Sequence, residues 1–264
     1  MLLCDPPLPE GRSKNLPSLM PIMEVIRLRV RLGQPGILFA EHQFDRQDLE
    51  TLIGDPVLAQ LTEYEFSHYS MEPTALAFLK DMFTTYKPTT VIELGSGIST
   101  AILSRHMREI HGVDFESRYV TVDQSADFAL QTQKMLERVG TDDMVHMVVA
   151  DTHPVEAEGR EISWYHLDAD KFTEALGGRK ADLVIIDGPA AGGAQGVAGS
   201  RFAALPLLKE YLAHEALFFM DDAFRDPELE IAAAWAGLDY VHVFGHKSVG
   251  KGVLVGCYLD QQTD

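Results

Sequence analysis

The hydrophobic and polar positions along this chain alternate between two patterns from about residue 73 onward. Short apolar runs predict buried strands, and stretches with apolar residues three or four positions apart predict helices that pack on them. Five strand and helix units in succession predict an α/β fold with a doubly wound, mostly parallel sheet and helices on both faces. Two last apolar runs, at 240–244 and 252–258, predict a C-terminal hairpin that adds an antiparallel strand.

Turn and cap residues mark the boundaries of these elements. Ser125 is placed to cap the helix after the second strand, and Gly140 ends that helix. Asp226 and the proline after it suit the N-cap and first position of the helix after the fifth strand. The helix after the fourth strand is expected to start beyond Arg201 and to reach Leu212, and the third and fourth strands are joined by a connection with one short helix. The predicted strands are 90–94, 119–123, 144–151, 181–187 and 217–221.

Composition divides the chain into three parts. Residues 1–20 are rich in proline, serine and glycine and are expected to lack regular structure. Residues 21–70 are expected to form an N-terminal helical extension, which serves as a lid or as a homodimer contact. Residues 71–264 hold all the alternating units and form the main domain.

Charge and cysteine content exclude several classes of protein. The formal net charge of -18 disfavours a nucleic-acid partner, because a phosphate backbone requires a basic surface. The two cysteines, Cys4 and Cys257, stand at opposite ends and indicate free thiols in a reducing compartment. The apolar runs are all shorter than the roughly 20 residues that cross a bilayer, so no membrane association is expected. These features predict a cytoplasmic protein.

The first strand leads into a glycine-rich turn. Glu93 ends the apolar run, Gly95 and Gly97 flank a serine, and a helical pattern follows. This order predicts a buried strand that turns tightly into a helix whose N-terminus faces a ligand. A dinucleotide-binding turn usually has a third glycine, which is missing here, so the turn favours a cofactor with ribose and amino groups over one with a pyrophosphate.

Acids recur where the predicted strands end. Glu93, Asp123, Asp151, Asp187 and Asp221 each follow or close an apolar run. The carboxyl ends of parallel strands share one edge of the sheet, which is where ligands of such folds bind. Each acid could instead cap a helix or a turn. Five carboxylates on one edge would repel one another, however, unless a ligand or cation used them.

Asp123 has the position of an acid that binds ribose hydroxyls at the end of the second strand. Asp114 is a rival, because it also ends an apolar run. Asp123 is preferred because a well-capped helix follows it directly and leads into the third strand. Asp151, with Thr152 after it, lies where an adenine amino group could be recognised.

In their order, these motifs resemble the class I S-adenosylmethionine-dependent methyltransferases. They resemble in particular a small bacterial group with an E-x-G-S-G-x-S-T first motif, which is distantly similar to catechol O-methyltransferase. The resemblance covers about residues 70–258 and rests on the first motif and on the stretches 122–125, 164–165, 184–189 and 221–225. It implies a Rossmann-like, seven-stranded sheet with an antiparallel last strand, and makes 71–264 the S-adenosylmethionine-binding catalytic domain. The cofactor-binding residues that it implies are Glu93, Gly95, Ser96, Gly97, Ser99, Thr100, Asp123, Gln124, Asp151 and Thr152.

The same resemblance suggests a metal site. Catechol O-methyltransferase and its relatives hold Mg²⁺ with an Asp after the fourth strand and an Asp-Asn pair after the fifth. The matching residues here are Asp187, Asp221 and Asp222, a set of oxygen ligands that suits a hard divalent cation. Two departures stand out: Asp222 replaces the asparagine, and no lysine base follows Asp187. Asp187 as a direct general base is therefore an equal alternative.

Three functions remain open from the sequence. The leading one is a methyltransferase that acts on a small molecule, at a hydroxyl oxygen, with S-adenosylmethionine as cofactor and Mg²⁺ as a candidate metal. An NAD-dependent oxidoreductase is disfavoured by the missing third glycine and the terminal hairpin. The third is a non-catalytic S-adenosylmethionine-binding protein, which the row of acids disfavours.

Overall fold

The computed structural model describes residues 70–190 and 199–260. The expected N-terminal parts, 1–20 and 21–70, lie outside the described residues except for Ser70. The helices are α1 (Pro73–Tyr86), α2 (Ile98–His111), α3 (Ala126–Val139), α4 (Ala169–Ala175), α5 (Ala204–Leu208) and α6 (Asp226–Trp235). The strands are β1 (Thr90–Leu94), β2 (Arg118–Asp123), β3 (Val145–Val149), β4 (Thr152–Ala157), β5 (Arg160–Tyr165), β6 (Ala181–Ile186), β7 (Leu212–Met220), β8 (Val241–Lys247) and β9 (Val253–Tyr258).

Seven of these strands form one sheet in the order β3-β2-β1-β6-β7-β9-β8. The five strands from β3 to β7 are parallel, and β9 pairs antiparallel with both β7 and β8. The order reverses between β1 and β6, which is where open α/β sheets bind ligands. The predicted doubly wound sheet and its C-terminal hairpin are confirmed.

The sheet separates two hydrophobic cores, and successive residues of its strands face opposite sides. On one side Val91, Leu183 and Ile185 pack with helices α1, α2 and α3. On the other side Ile92, Val184 and Ile186 pack with the segments that hold α4, α5 and α6. Burial on both faces explains why these strands are continuous apolar runs in the sequence.

Local signals set the helix boundaries much as expected. The Ser125 side chain accepts a hydrogen bond from the amide of Phe128 and caps α3, and Gly140 ends it in a left-handed conformation. Helix α6 begins one residue earlier than predicted: Arg225 is its N-cap, and Asp226 is already helical. Among the described helices none is long and apolar enough to cross a membrane.

A hairpin between the third and fourth strands of the main sheet was not predicted. Strands β4 and β5 pair through a two-residue turn at Glu158 and Gly159, both with positive φ, as a hairpin twist requires. The third predicted strand was therefore too long, since β3 ends at Val149. Pro154 and the polar residues Thr152, His153 and Glu156 hide the strand pattern of β4. The short helix predicted in this connection is present as α4.

The segment between β6 and β7 also differs from the prediction. The helix expected to reach Leu212 is the single turn of α5, flanked by 3₁₀ turns at Ser200–Ala203 and Lys209–Tyr211. Strand β7 starts at Leu212, earlier than the predicted residue 217. Its first half is irregular, with a register shift against β6 and a positive φ at Glu215, which breaks the apolar pattern.

Trp235 ties α6 to the 3₁₀ turn before α5. The indole is fully buried, meets the ring of Phe218 edge-on, and donates a hydrogen bond of 3.0 Å to the carbonyl of Phe202.

We expect Trp235→Ala to lower the free energy of unfolding by about 3–5 kcal/mol, since it leaves a large cavity. Urea denaturation measures this loss. The control is Leu229→Ala on the same helix, where an exposed side chain predicts a change below about 0.5 kcal/mol; equal losses would contradict the assignment.

Candidate active site

The strand register places the ends of four strands side by side. Leu94 is paired with residues at the ends of β2 and β6, and Ile186 is paired with Met220 at the end of β7. Backbone hydrogen bonds continue past these ends, from the amide of Asp187 to Leu94 at 2.9 Å and from that of Asp221 to Ile186 at 3.0 Å. The glycine turn, Asp123, Asp187 and Asp221 therefore follow one another along the carboxyl edge of the sheet.

The two glycines of the turn have different roles. Gly95 has φ +94°, and a Cβ there would lie 3.3 Å from the amide nitrogen of Gly188, so a side chain would be strained and crowded. Gly97 has extended backbone, and a Cβ there would meet no atom within 4 Å in residues 70–190 and 199–260, its chain neighbours aside. Gly95 thus permits the close passage of two chain segments, whereas Gly97 borders open space at the N-terminus of α2.

Glu93 lies beneath the turn and is fully buried. One carboxylate oxygen accepts a hydrogen bond from Ser99 at 2.7 Å, and the other accepts from Thr100 at 2.6 Å and from Tyr119 at 3.0 Å. Burial raises the pKa of Glu93 to about 7, although these hydroxyls act in the opposite direction. The structure therefore shows Glu93, Ser99 and Thr100 holding the start of α2 from inside the protein. Their predicted contact with a cofactor stays a prediction.

Asp123 ends β2 and is also largely buried. One of its oxygens accepts hydrogen bonds from the amide and the hydroxyl of Ser96, at 2.9 and 2.6 Å, and the other accepts from the amide of Ser125 at 2.8 Å. The acid thereby fixes the glycine turn against the second strand. Beside it, the buried Oε1 of Gln124 has no hydrogen-bond partner among the described residues. This orphaned acceptor indicates a ligand donor at this place.

The segment with Asp151 and Thr152 lies beside Asp123 and leads into a hairpin that the sequence did not reveal. The amide of Ala150 donates to the carbonyl of Asp123 at 2.9 Å, which brings this segment to the end of β2. Asp151 is exposed and stands in the connection to the hairpin, and Thr152 is already the first residue of β4. Asp151 therefore follows the end of β3 by two residues, whereas the sequence placed it within the strand.

Asp187, Asp221 and Asp222 do come together. One carboxylate oxygen of each lies within 4.8 Å of the other two, and this is the one such cluster within residues 70–190 and 199–260. The side chain of Asp187 is 18% exposed and that of Asp222 is 6% exposed. Asp187 is thus the member of the three that reaches solvent.

Arg201, which the sequence did not single out, occupies the middle of this acidic cluster. Its Nη2 donates to Oδ1 of Asp187 at 3.0 Å and to Oδ2 of Asp222 at 3.2 Å. The same guanidinium donates to the backbone carbonyls of Asp187 at 2.6 Å and Asp221 at 2.7 Å. The side chain is only 7% exposed. Surrounding carboxylates, Asp187 first, raise the pKa of Arg201 despite its burial.

Other charges complete the cluster. The exposed Arg225 lies 2.9 Å and Lys251 lies 3.8 Å from Oδ1 of Asp222, and the buried Glu228 lies 3.9 Å from Arg201. Burial raises the pKa of Asp187 to about 7, against the effect of Arg201. Burial also raises the pKa of Asp221, and Oδ1 of Asp221 has no hydrogen-bond partner among the described residues.

Tyr165, at the end of β5, forms a wall of this site. A Cβ on Gly188 would lie 2.3 Å from its hydroxyl, so the phenol occupies the space beside the residue after Asp187. The ring is buried, and burial followed by the charge of Asp123 raises the pKa of its hydroxyl. The sequence pointed to Trp164 and Tyr165 as a pair, but only the unpredicted hairpin explains why Tyr165 lies here.

Comparisons with known proteins agree with this geometry. The profile of a methyltransferase domain family matches residues 92–223, which is half of the chain. A search of curated protein sequences finds no match. The chain belongs to this methyltransferase family.

Solved structures support the fold independently. A methyltransferase from Geobacter sulfurreducens is similar with a TM-score of 0.55 and 20% identity, over 82% of this chain and 98% of that one. An O-methyltransferase from Bacillus cereus in complex with SAH is similar with a TM-score of 0.52 and 16% identity, over 88% and 99%. The O-methyltransferase TomG from Streptomyces achromogenes, in complex with SAM, gives 0.52 and 14% identity, over 90% and 98%. These likenesses confirm the Rossmann-like methyltransferase fold.

The raised pKa of Glu93 predicts a specific pH dependence of stability. The native state binds a proton that the unfolded state releases between pH 4.5 and about 7, so the stability linked to that proton is lost as the pH rises through about 7. Glu93→Gln mimics the protonated side chain. We expect its free energy of unfolding, relative to wild type, to increase by about 1–3 kcal/mol between pH 5 and pH 8.

Urea denaturation of both proteins at several pH values measures this difference in the free energy of unfolding. The contributions of the other titrating groups are the same in both proteins and cancel. Glu137→Gln on the exposed face of α3 is the matched control, with no expected pH-dependent difference. Parallel stability curves for wild type and Glu93→Gln would show that burial does not raise the pKa of Glu93.

Proposed function

We propose that the protein is an S-adenosylmethionine-dependent methyltransferase that transfers the methyl group to a hydroxyl oxygen of a small molecule. The observation that carries this proposal is the partly open turn from Gly95 to Gly97, set between Asp123 on one side and Asp187 on the other. A cofactor on this turn would have a ribose-binding acid at one end and a proton acceptor at the other. The SAH and SAM complexes of the structural neighbours, and their names as O-methyltransferases, support the same assignment.

The residues around the turn fit this cofactor. Gly97 borders open space, so the cofactor can approach the backbone at the N-terminus of α2. Asp123 keeps one unused lone pair, on Oδ1, for a ribose hydroxyl. The orphaned Oε1 of Gln124 can accept a hydrogen bond from an amino group or a hydroxyl. Asp151 and Thr152 extend the site toward the adenine. When bound, S-adenosylmethionine supplies an electrophilic methyl group on a sulfonium.

Asp187 is the group best placed to receive the proton of the acceptor hydroxyl. It reaches solvent, while Asp222 is enclosed. Its Oδ1 is held by Arg201, and among the described residues no hydrogen bond occupies Oδ2, which can face an acceptor. A carboxylate whose pKa is about 7 is a stronger base than an ordinary aspartate and is still ionised in part at neutral pH. The hydroxyl would thus lose its proton to Asp187 as its oxygen becomes bonded to the methyl carbon.

A small, hydroxylated acceptor suits this site better than a polymer with phosphates. Carboxylates surround the proton acceptor, and the chain carries a net charge of -18, so a polyanion would be repelled. Tyr165 closes the side of the site next to Gly188 with an aromatic ring.

The cofactor is tested first by calorimetric titration with S-adenosylhomocysteine, with NAD as the control ligand. We expect micromolar binding of S-adenosylhomocysteine and none of NAD. Gly97→Leu should weaken this binding at least about tenfold, because the side chain enters the space kept for the cofactor. It should lower stability by only about 1 kcal/mol, since no protein atom is within 4 Å of the new Cβ. Unchanged binding by a folded Gly97→Leu variant would place the cofactor elsewhere.

The base is tested with Asp187→Asn, once acceptor screening has supplied a substrate. Asparagine keeps Oδ1 for Arg201 and removes only the basic oxygen. We expect turnover to fall by about 10²–10⁴-fold, with S-adenosylhomocysteine affinity within a factor of about three of wild type. Full turnover by this variant would assign the proton transfer to another group.

A further inference from the structure

We infer that Arg201 takes the place of a divalent cation in this site, so that an internal guanidinium orients Asp187 and the enzyme needs no metal. The inference rests on the proposed methyl transfer and adds a positioning residue to it. It replaces the metal hypothesis that the residues Asp187, Asp221 and Asp222 raised from the sequence.

The geometry of Arg201 is that of a central ligand. It is the one side chain in the described ranges that hydrogen-bonds both Asp187 and Asp222, through the same nitrogen. It also reaches Asp221, through the backbone carbonyl. A metal ion would have to bring the same three residues together. Here the planar, fork-shaped guanidinium does so with nitrogen donors in fixed directions.

The guanidinium already binds two of the three carboxylates that a metal would need. Magnesium binds oxygens at about 2.1 Å and would have to sit among the three carboxylates. Nη2 of Arg201 lies 3.0 Å from Oδ1 of Asp187 and 3.2 Å from Oδ2 of Asp222, so an ion that bound these two oxygens would compete with the guanidinium for them. Two backbone carbonyls anchor the guanidinium, and leaving them would leave buried acceptors unsatisfied. The carboxylates are suitable metal ligands, but Arg201 already binds Asp187 and Asp222.

The charges lead to the same result. Asp187, Asp221, Asp222 and Glu228 are the acids of the cluster, and Arg201, Arg225 and Lys251 are its cations. Three positive charges already balance most of the negative charge. A divalent ion would add two more beside a buried guanidinium that it would repel at close range.

A guanidinium in place of a metal changes which methyl acceptors the site can select. A metal with open coordination positions can hold two neighbouring oxygens of an acceptor at once. Arg201 is enclosed, so the acceptor meets only the exposed edge of Asp187. We therefore expect acceptors with a single hydroxyl to be used as well as those with two adjacent hydroxyls.

The test uses Mn²⁺ as the probe, because it substitutes for Mg²⁺ and its binding is seen by electron paramagnetic resonance without any acceptor. For the wild type we expect no micromolar Mn²⁺ site and no increase in Tm with Mn²⁺. For Arg201→Met, which empties the centre of the three carboxylates, we expect a new Mn²⁺ site and an increase in Tm of at least about 3 °C at saturating Mn²⁺. The gain should vanish in Arg201→Met combined with Asp221→Asn.

The matched control is Arg225→Met, which removes a cation from Asp222 but leaves Arg201 in the centre. We expect it to gain no Mn²⁺ site. A gain as large as that of Arg201→Met would contradict the inference, because loss of any positive charge would then suffice. A micromolar Mn²⁺ site in wild type that Asp221→Asn abolishes would overturn it outright, whether or not Arg201→Met folds.

Calorimetry with S-adenosylhomocysteine separates this result from the proposed function. If wild type binds S-adenosylhomocysteine and has the Mn²⁺ site, the methyltransferase proposal holds and the role of Arg201 is wrong. If wild type binds no S-adenosylhomocysteine, the proposed function fails whatever Mn²⁺ does. Once an acceptor is known, turnover of wild type should be unchanged by EDTA, and Arg201→Lys should retain less turnover than wild type with no gain of Mn²⁺ binding.

Discussion

Burial of carboxylates at the carboxyl edge of the sheet is the constraint that organises this molecule. A buried ionised carboxylate is unfavourable unless hydrogen bonds or opposite charges compensate it. Each acid here is compensated differently. Glu93 has three hydroxyls, Asp123 has the backbone and hydroxyl of Ser96, and Asp187 has Arg201. The compensation, more than the acid itself, decides whether a residue stabilises the turn or is available to a substrate.

The position of Arg201 depends on the core on the far side of the site. Arg201 lies in a 3₁₀ turn whose next residue, Phe202, is buried and accepts the hydrogen bond from Trp235. The guanidinium of Arg160 lies over the ring of Phe202 at 4.5 Å, so the β4–β5 hairpin contacts the same turn. Helix α6 and this hairpin therefore fix the cation of the site, and α6 also provides the buried Glu228, 3.9 Å from Arg201.

Much of this arrangement could be predicted from the sequence, and the exceptions have a common cause. Strands buried on both faces are apolar runs, and a parallel sheet puts their ends together, so the sequence located Asp123, Asp187 and Asp221 at one edge. Arg201 does not follow an apolar run, so no sequence pattern marks its position. It lies in a short turn, and its partners are 14 to 21 residues away in the chain. The hairpin was missed because Pro154 and charged side chains interrupt the apolar pattern of its strands, and with it the position of Tyr165 and the end of β3.

The departure at Asp222 now has a physical explanation. This residue has φ +58°, a left-handed conformation that asparagine and aspartate both adopt more readily than other side chains, so the backbone accepts either one. The neighbouring positive charges, however, distinguish an aspartate from an asparagine at this position. Arg201 lies 3.2 Å from one oxygen of Asp222, and Arg225 lies 2.9 Å from the other. An asparagine would present an amide donor to one of these cations. The carboxylate at position 222 therefore supplies a negative charge to the buried guanidinium at position 201, which an asparagine would not.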